Sequence, residues 1–340
     1  MSRLSCCLLA LAACGDNLEV FTDPPSIEVA HYAAPQSNKL DMLFVVDNTM
    51  LVTIQHDIGN QLGTLFDAIA ALPGDTSVHV GVTTTDLGTT TSLDRATSAP
   101  AFIGCSGVGA DGVLTIIPDG TTDLAVALNP LLQAGSVGCD FEQPLGAMAR
   151  VLDSPLNADF LRDDANLLVV LLSDEDDCSV RSATMFDEAT SAALGPRQSF
   201  RCTRFGIECD EAIRANGTKT NCHSNETSLL VEHVGTYVKR LQRAKPDPTR
   251  LAVYAMSGPS TPVKVEGAPG AYRVDPTCYY SGASYNHGAP GVRLQQFTST
   301  FGPNGDYGDV CQSNFIGQMN AMAALVKRMA GVTCLDTSKL

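Results

Sequence analysis

Hydrophobic and polar residues follow two different periods along this chain. Near-continuous apolar runs at Leu40–Val46 and Ala165–Leu172 are typical of parallel strands buried on both faces. Alternating apolar residues over Val78–Val82 predict another strand, and the apolar run Leu251–Met256 predicts a fourth. Between these strands, apolar residues recur at three- and four-residue spacing, which predicts helices. The predicted helices cover about 54–69, 145–152, 226–243 and 315–329.

Alternation of strands and helices predicts an α/β fold with a doubly wound, mainly parallel sheet. Ligands of such sheets bind at the carboxyl ends of the strands. Two polar, cysteine-containing stretches lack both periods, and we expect them to be loop insertions stapled by disulfides at about 179–224 and 258–312. The domain as a whole is predicted over residues 39–333.

The N-terminus has the pattern of an export signal. Arg3 precedes a short apolar stretch that ends in Leu11-Ala12-Ala13-Cys14. This ending resembles the bacterial lipobox, in which the cysteine carries diacylglycerol. We therefore expect a signal peptide at residues 1–13, and a lipidated Cys14 with a proline-containing tether at 14–38. The alternative is an ordinary cleaved signal with an incidental cysteine.

Charge and hydropathy narrow the location and the partners. Gly15 follows the lipobox cysteine, as in lipoproteins sent to the outer membrane, so an exported protein at the outer membrane or cell surface is expected. The 340 residues carry 22 Lys and Arg against 37 Asp and Glu, a formal charge of -15. This charge repels nucleic acid and favours cations or basic partners. No apolar run approaches the roughly 20 residues that cross a bilayer, so membrane attachment is assigned to the N-terminal lipid.

Cysteine usage supports an oxidising compartment. Of the twelve cysteines, nine remain after the signal and the lipidated residue are set aside, so at least one thiol has no intramolecular partner. Cys334 is one candidate for that thiol. The pairing is open, although Cys278 and Cys311 are natural partners, and a zinc site at Cys202, Cys209, Cys222 and His223 is a weak alternative because paired CxxC knuckles are missing. The disulfide candidates are Cys105, Cys139, Cys178, Cys202, Cys209, Cys222, Cys278 and Cys311.

Two of the buried strands end in aspartate, at Asp47 and Asp174. Both carboxylates are expected at the same edge of a parallel sheet, where oxygen ligands suit Mg²⁺ or Ca²⁺. Glu175, Asp176 and Asp177 follow the second aspartate and are interpreted as a solvated acidic loop.

At this point the chain resembles a known family, the bacterial lipoproteins built on a von Willebrand factor type A (vWA) domain. The resemblance covers roughly residues 39–333 and implies a vWA/Rossmann-like fold. It is carried by DMLFVVDNTML at 41–51, VGVTTTD at 80–86, FEQPL at 141–145 and SDEDDC at 173–178.

The resemblance also implies a metal-ion-dependent adhesion site. In the family, an Asp-x-Ser-x-Ser loop, a later Thr and a later Asp bind the cation; Asp47, Thr49 and Asp174 match three of these positions. Leu51 stands where the second Ser belongs and has no oxygen ligand. No residue of 135–144 matches the family's Thr clearly, and Glu142 is the substitute ligand that we suggest. The degenerate site predicts weak Mg²⁺ or Ca²⁺ binding or, as the favoured reading, a vestigial site in which the aspartates serve backbone hydrogen bonds.

Function is expected to be binding rather than catalysis. The sequence has no G-x-S-x-G, GxxxxGK[ST] or HExxH motif, so we expect no enzyme. The leading hypothesis is a membrane-anchored surface lipoprotein that binds a protein or a surface polymer, with a weak cation dependence. The alternatives are a structural envelope protein with a vestigial site and, less favoured, a metal-assisted hydrolase.

Overall fold

A computed structural model describes residues 37–89, 105, 107, 109, 111–280 and 287–331. The six strands of its central sheet are β1 (Lys39–Val46), β2 (Ser77–Thr84), β3 (Thr115–Ile117), β4 (Asn166–Leu172), β5 (Leu251–Ser257) and β6 (Gly305–Asp309). They lie in the order β3-β2-β1-β4-β5-β6. All neighbours pair in parallel except β2 and β3, which are antiparallel.

Helices cover both faces of this sheet. They are α1 (Val52–Gly59), α2 (Leu62–Ala70), α3 (Leu124–Leu132), α4 (Pro144–Asp153), α5 (Val234–Ala244), α6 (Val292–Ser299) and α7 (Ile316–Met329). On β1, Met42 and Phe44 pack into one hydrophobic layer with α1, α2, α3 and α7, whereas Leu43 and Val45 pack into the other with α4, α5 and α6. The prediction of an α/β fold with a mainly parallel sheet is therefore confirmed, and burial on both faces explains the near-continuous apolar strands.

The cysteine-containing segments carry short elements of their own. The first contains the short helices Ser191–Leu194 and Phe200–Gly206 and the strands Ile207–Glu208, Gly217–Lys219 and His223–Ser224. The second contains the strands Val263–Glu266, Arg273–Asp275, Cys278–Tyr279 and His287–Gly288. Gly217–Lys219 and Val263–Glu266 pair with each other, so the two segments share a small sheet.

Two predicted helices have different bounds in the structure. The helix predicted over 54–69 is broken between α1 and α2, and the spacing of Ile58 and Leu62 hid the break because both residues are buried. The helix predicted over 226–243 begins only at Val234. Before that point the chain is not helical: Leu229 is 79% exposed, and Val231 is buried and pairs with Val180 in an isolated bridge.

The sequence pattern also missed several elements. α3 and β3 were not predicted, and the segment interpreted as an insertion over 258–312 contains α6 and the sheet strand β6. β6 has the sequence GDYGD and lies at the sheet edge, so it has no apolar run to reveal it.

Four disulfides use all eight candidate cysteines. The pairs are Cys105–Cys139, Cys178–Cys202, Cys209–Cys222 and Cys278–Cys311. The zinc alternative fails because Cys202, Cys209 and Cys222 are all in disulfides. Cys14 and Cys334 lie outside the described residues.

In the described part of the chain, no helix is long and apolar enough to cross a membrane.

Candidate functional site

Polar side chains from four segments meet at the carboxyl edge of the central sheet. The backbone ladder places them there, because Asp47 N donates to Leu172 O at 2.8 Å and Thr85 N donates to Val46 O at 3.1 Å. The strand order turns between β1 and β4, the position where sheets of this kind leave a crevice. We call the cluster the rim site; its members are Asp47, Thr49, Thr85, Glu142, Ser173 and Asp174.

Asp47 is the centre of the rim site and is fully buried. Its Oδ1 accepts hydrogen bonds from the backbone N and the hydroxyl of Thr49, at 2.6 and 2.7 Å, and from Met50 N at 3.1 Å. Its Oδ2 accepts from the Ser173 hydroxyl at 2.6 Å. The loop after β1 therefore wraps around this carboxylate, while β4 reaches it from the other side.

Glu142 enters the rim site from the start of α4 and has no exposed surface. Its Oε1 lies 3.0 Å from Thr49 Oγ1, so Glu142 and Asp47 share the single proton of that hydroxyl, and its Oε2 accepts from the Thr85 hydroxyl. Its carbonyl oxygen accepts from Cys178 N at 2.7 Å, which ties this segment to the loop after β4. Burial, and then the nearby Asp47 charge, raise the pKa of Glu142 well above its usual value.

Asp174 lies beside Asp47, and the backbone N–H of Leu51 acts on its carboxyl group to lower the pKa. Burial, and then repulsion from Asp47, raise the pKa of Asp174 well above the usual aspartate range. Burial, and then the charge of Asp174, also raise the pKa of Glu175 well above its usual value. The Leu51 side chain packs against the hydrophobic layer that contains α1, so this position contributes an N–H where the resembled family has a hydroxyl.

The rim site carries negative charge without a compensating basic side chain. Among the described residues, no Lys, Arg or His forms an ion pair with Asp47, Glu142 or Asp174. The three carboxylates alone do not form a tight triad. Within the described ranges, the only three Cys, His, Asp or Glu side chains with ligand atoms all within 4.8 Å of each other are Cys278, Asp309 and Cys311, whose two sulfurs form a disulfide.

The structure thus brings together the four residues singled out from sequence, Asp47, Thr49, Glu142 and Asp174. Sequence reasoning missed Thr85 and Ser173, which complete the hydrogen bonds of Glu142 and Asp47. Both missed residues directly follow buried strands, the signal that identified the two aspartates.

The interpretation of residues 175–177 as a solvated loop is wrong for Asp177, which is 1% exposed. Asp177 forms a buried ion pair with Arg293 at 2.9 Å and accepts from Leu145 N at 3.0 Å. Asp176 accepts from the backbone N of Arg293 and of Leu294, and burial raises its pKa to about 6. Both acids hold helix N-termini at this edge of the sheet.

Comparison with protein-family models gives no match, and comparison with curated proteins also gives none. Among solved structures, the chain is similar to the pilus adhesin SpaC from Lactobacillus rhamnosus GG in its open conformation, with a TM-score of 0.36 and 13% identity. The match covers 87% of this chain but only 30% of the adhesin. Similarity at this level carries no functional conclusion, which must come from the rim site itself.

Proposed function

We propose that this protein is a lipid-anchored surface protein whose vWA-like domain binds a protein or a surface polymer at the rim site, with a weakly held divalent cation. The observation that carries the proposal is the convergence of oxygen donors from four segments around Asp47, with no basic side chain to balance their charge. Buried carboxylates in that situation favour a bound cation or the protonated state.

The order of the sheet supports the vWA-like assignment. Counted along the chain, the strands lie in the order 3-2-1-4-5-6, the order of a doubly wound sheet with its crevice beside the first strand. The motifs that resemble the vWA lipoproteins fall at the ends of β1, β2 and β4 and at the start of α4.

The donor set fits a hard cation. Asp47 and Asp174 would hold the ion, with Thr49, Thr85 or Ser173 supplying hydroxyl oxygens and Glu142 a further carboxylate; these are ligand types of Mg²⁺ and Ca²⁺. When bound, such an ion offers a coordination position to a carboxylate of the partner. Leu51 provides no oxygen, so we expect weaker binding than at a site with a hydroxyl there.

A structural role without cation is the second candidate, and one observation favours it. Asp47 already accepts hydrogen bonds from Thr49, Met50 and Ser173, so this carboxylate organises the loops of the rim without any ion.

Calorimetric titration of Mg²⁺, Ca²⁺ and Mn²⁺ into the purified protein separates the two candidates. We expect micromolar to millimolar binding that disappears in Asp47→Asn and persists in the control Asp67→Asn, which makes the same charge change on the exposed side of α2. Leu51→Ser should bind about tenfold more tightly, because it restores an oxygen ligand.

No heat from the wild type or from folded Leu51→Ser, up to roughly 10 mM cation, would overturn the cation-binding proposal. The structural candidate would then stand. Thermal unfolding of each variant checks that a silent titration is not caused by misfolding.

A further inference from the structure

A cleft lies between the two cysteine-stapled segments and the acidic loop after β4. Its volume is about 220 Å³, and its lining includes Glu175, Gln198, Phe200, Thr203, Arg273 and Pro290. We call it the insertion cleft. Its volume is below the roughly 300–1,000 Å³ of sites for drug-sized ligands, which indicates a single side chain as occupant.

Glu175 is the acid at the cleft that lacks a partner. Its two neighbours are committed, since Asp176 accepts from two backbone N–H groups of α6 and Asp177 pairs with Arg293. Across the described part of the chain, no donor bonds to the Glu175 carboxylate and no basic side chain pairs with it. Asp47, Asp140 and Asp174 add further negative charge around it.

Basic groups at the cleft do not neutralise Glu175. Arg273 lines the cleft, but its guanidinium pairs with Glu266 at 3.2 Å and with Asp275 at 3.9 Å. His287 also lines the cleft and is exposed, with its ring 6.3 Å from that of Tyr279.

The walls of the cleft are held in place before any ligand arrives. The Phe200 and Tyr272 rings pack at 5.9 Å between centroids, and Gln198 Nε2 donates to Tyr272 O at 3.1 Å, so the two segments contact each other. The Cys178–Cys202 disulfide ties the Phe200 wall to the loop that carries Glu175. A preformed cleft reduces the ordering cost of binding.

We infer that the insertion cleft binds one lysine or arginine side chain of a protein partner, with the cationic group at Glu175 and the aliphatic stem against Phe200. An unpaired carboxylate beside an aromatic ring matches both parts of such a side chain, a charged head and an apolar stem. The inference rests on the proposed function only in placing this partner at the same edge of the molecule as the rim site. The net charge of -15 favours the approach of a basic partner.

The test uses ¹⁵N-labelled protein in EDTA at low salt, titrated with capped tripeptides Gly-Lys-Gly and Gly-Arg-Gly. Gly-norleucine-Gly is the neutral probe. We expect saturable amide shifts at the cleft with either basic peptide and not with norleucine. Glu175→Gln should weaken binding about fivefold or more, and the exposed Glu208→Gln, in the same segment, should not.

Two further variants separate this inference from the proposed function. Phe200→Ala keeps every charge and should weaken binding of the basic peptides by removing the wall for the stem. Leu51→Ser changes the rim site without changing any charge, so it should leave binding of the basic peptides in EDTA within about twofold while it alters the cation titration. Equal shifts with norleucine, or unchanged affinity in folded Glu175→Gln, would overturn the inference whatever the cation titration shows.

Discussion

At the scale of single residues, Glu142 shows how folding changes the chemistry of a carboxyl group. In the sequence it is one acid among many, whereas in the structure it has no exposed surface and faces Asp47. Its partners, the hydroxyls of Thr49 and Thr85, lower the cost of its charge without removing it. The protonated form of Glu142 is therefore favoured in the folded protein relative to the unfolded chain.

The raised pKa makes stability depend on pH in a defined direction. In the absence of divalent cation, the protonated Glu142 contributes to the free energy of unfolding, because the folded protein binds this proton more tightly than the unfolded chain does. The contribution is fully present below the ordinary pKa of 4.5 and is lost as pH rises through the higher pKa of the folded protein. Glu142→Gln should consequently unfold a few degrees higher than the wild type at pH 7.5 in EDTA, with the difference disappearing near pH 4. Thermal unfolding followed by circular dichroism measures both.

Glu208→Gln is the control for that experiment, since its carboxylate is exposed. A stabilisation by Glu142→Gln that is equally large at pH 4 and pH 7.5 would show that packing, rather than ionisation, is responsible.

At the scale of elements, the loop after β4 joins the helices α4 and α6 to the sheet. Asp176 holds the first residues of α6, and Asp177 accepts from Leu145 N in α4. Arg293 is only 1% exposed. Its guanidinium also donates to Gly206 O and Glu232 O. This polar network connects the first cysteine-stapled segment to the sheet edge that carries the rim site.

Breaking this network should be costly. Asp177→Asn leaves the buried Arg293 guanidinium without its counter-ion, and we expect the free energy of unfolding to fall by about 3–5 kcal/mol. Urea unfolding at pH 7 measures the change. The exposed pair Arg273–Glu266 provides the comparison, and Glu266→Gln should cost no more than about 1 kcal/mol.

Similar losses in these two variants would contradict the role assigned to Asp177. They would mean that water reaches the Arg293 guanidinium as readily as it reaches an exposed ion pair.

At the scale of the whole molecule, four disulfides connect the described residues, and such a number is typical of proteins from an oxidising environment. None of the four disulfides uses a residue of the central sheet, and two of them lie at the first cysteine-containing segment. The negative charge and the acidic rim both favour cationic ligands, which is why the two proposals concern a divalent cation and a basic side chain.

The proposed lipid anchor is tested on the 340-residue chain expressed in a bacterial host. Cys14→Ala should move the protein from the membrane fraction to the soluble exported fraction, because it removes the residue proposed to accept diacylglycerol. Immunoblots of the separated fractions measure this change.

Cys7→Ala is the matched control and should leave the protein in the membrane fraction, since that cysteine lies within the predicted signal peptide. An unchanged membrane fraction for Cys14→Ala would contradict the lipobox interpretation and favour an ordinary cleaved signal.

By itself, the sequence determined the α/β class, the four central strands and the aspartates at two of their ends. Strands buried on both faces and helices with one apolar face leave their periods in the chain, so local patterns are sufficient for these features. Glu142 was suggested from its place in the sequence alone, and the structure sets it in contact with Thr49 and Thr85.

The Cys278–Cys311 pair was expected from the sequence, whereas only the tertiary structure decided the other three cysteine pairs, the edge strand β6 and the contributions of Thr85 and Ser173. It also showed that Asp177 is buried against Arg293, a residue 116 positions away along the chain. These features depend on contacts between distant segments, and the hydrophobic pattern does not record such contacts. A polar residue looks the same in the sequence whether folding leaves it in water or places it opposite a buried charge.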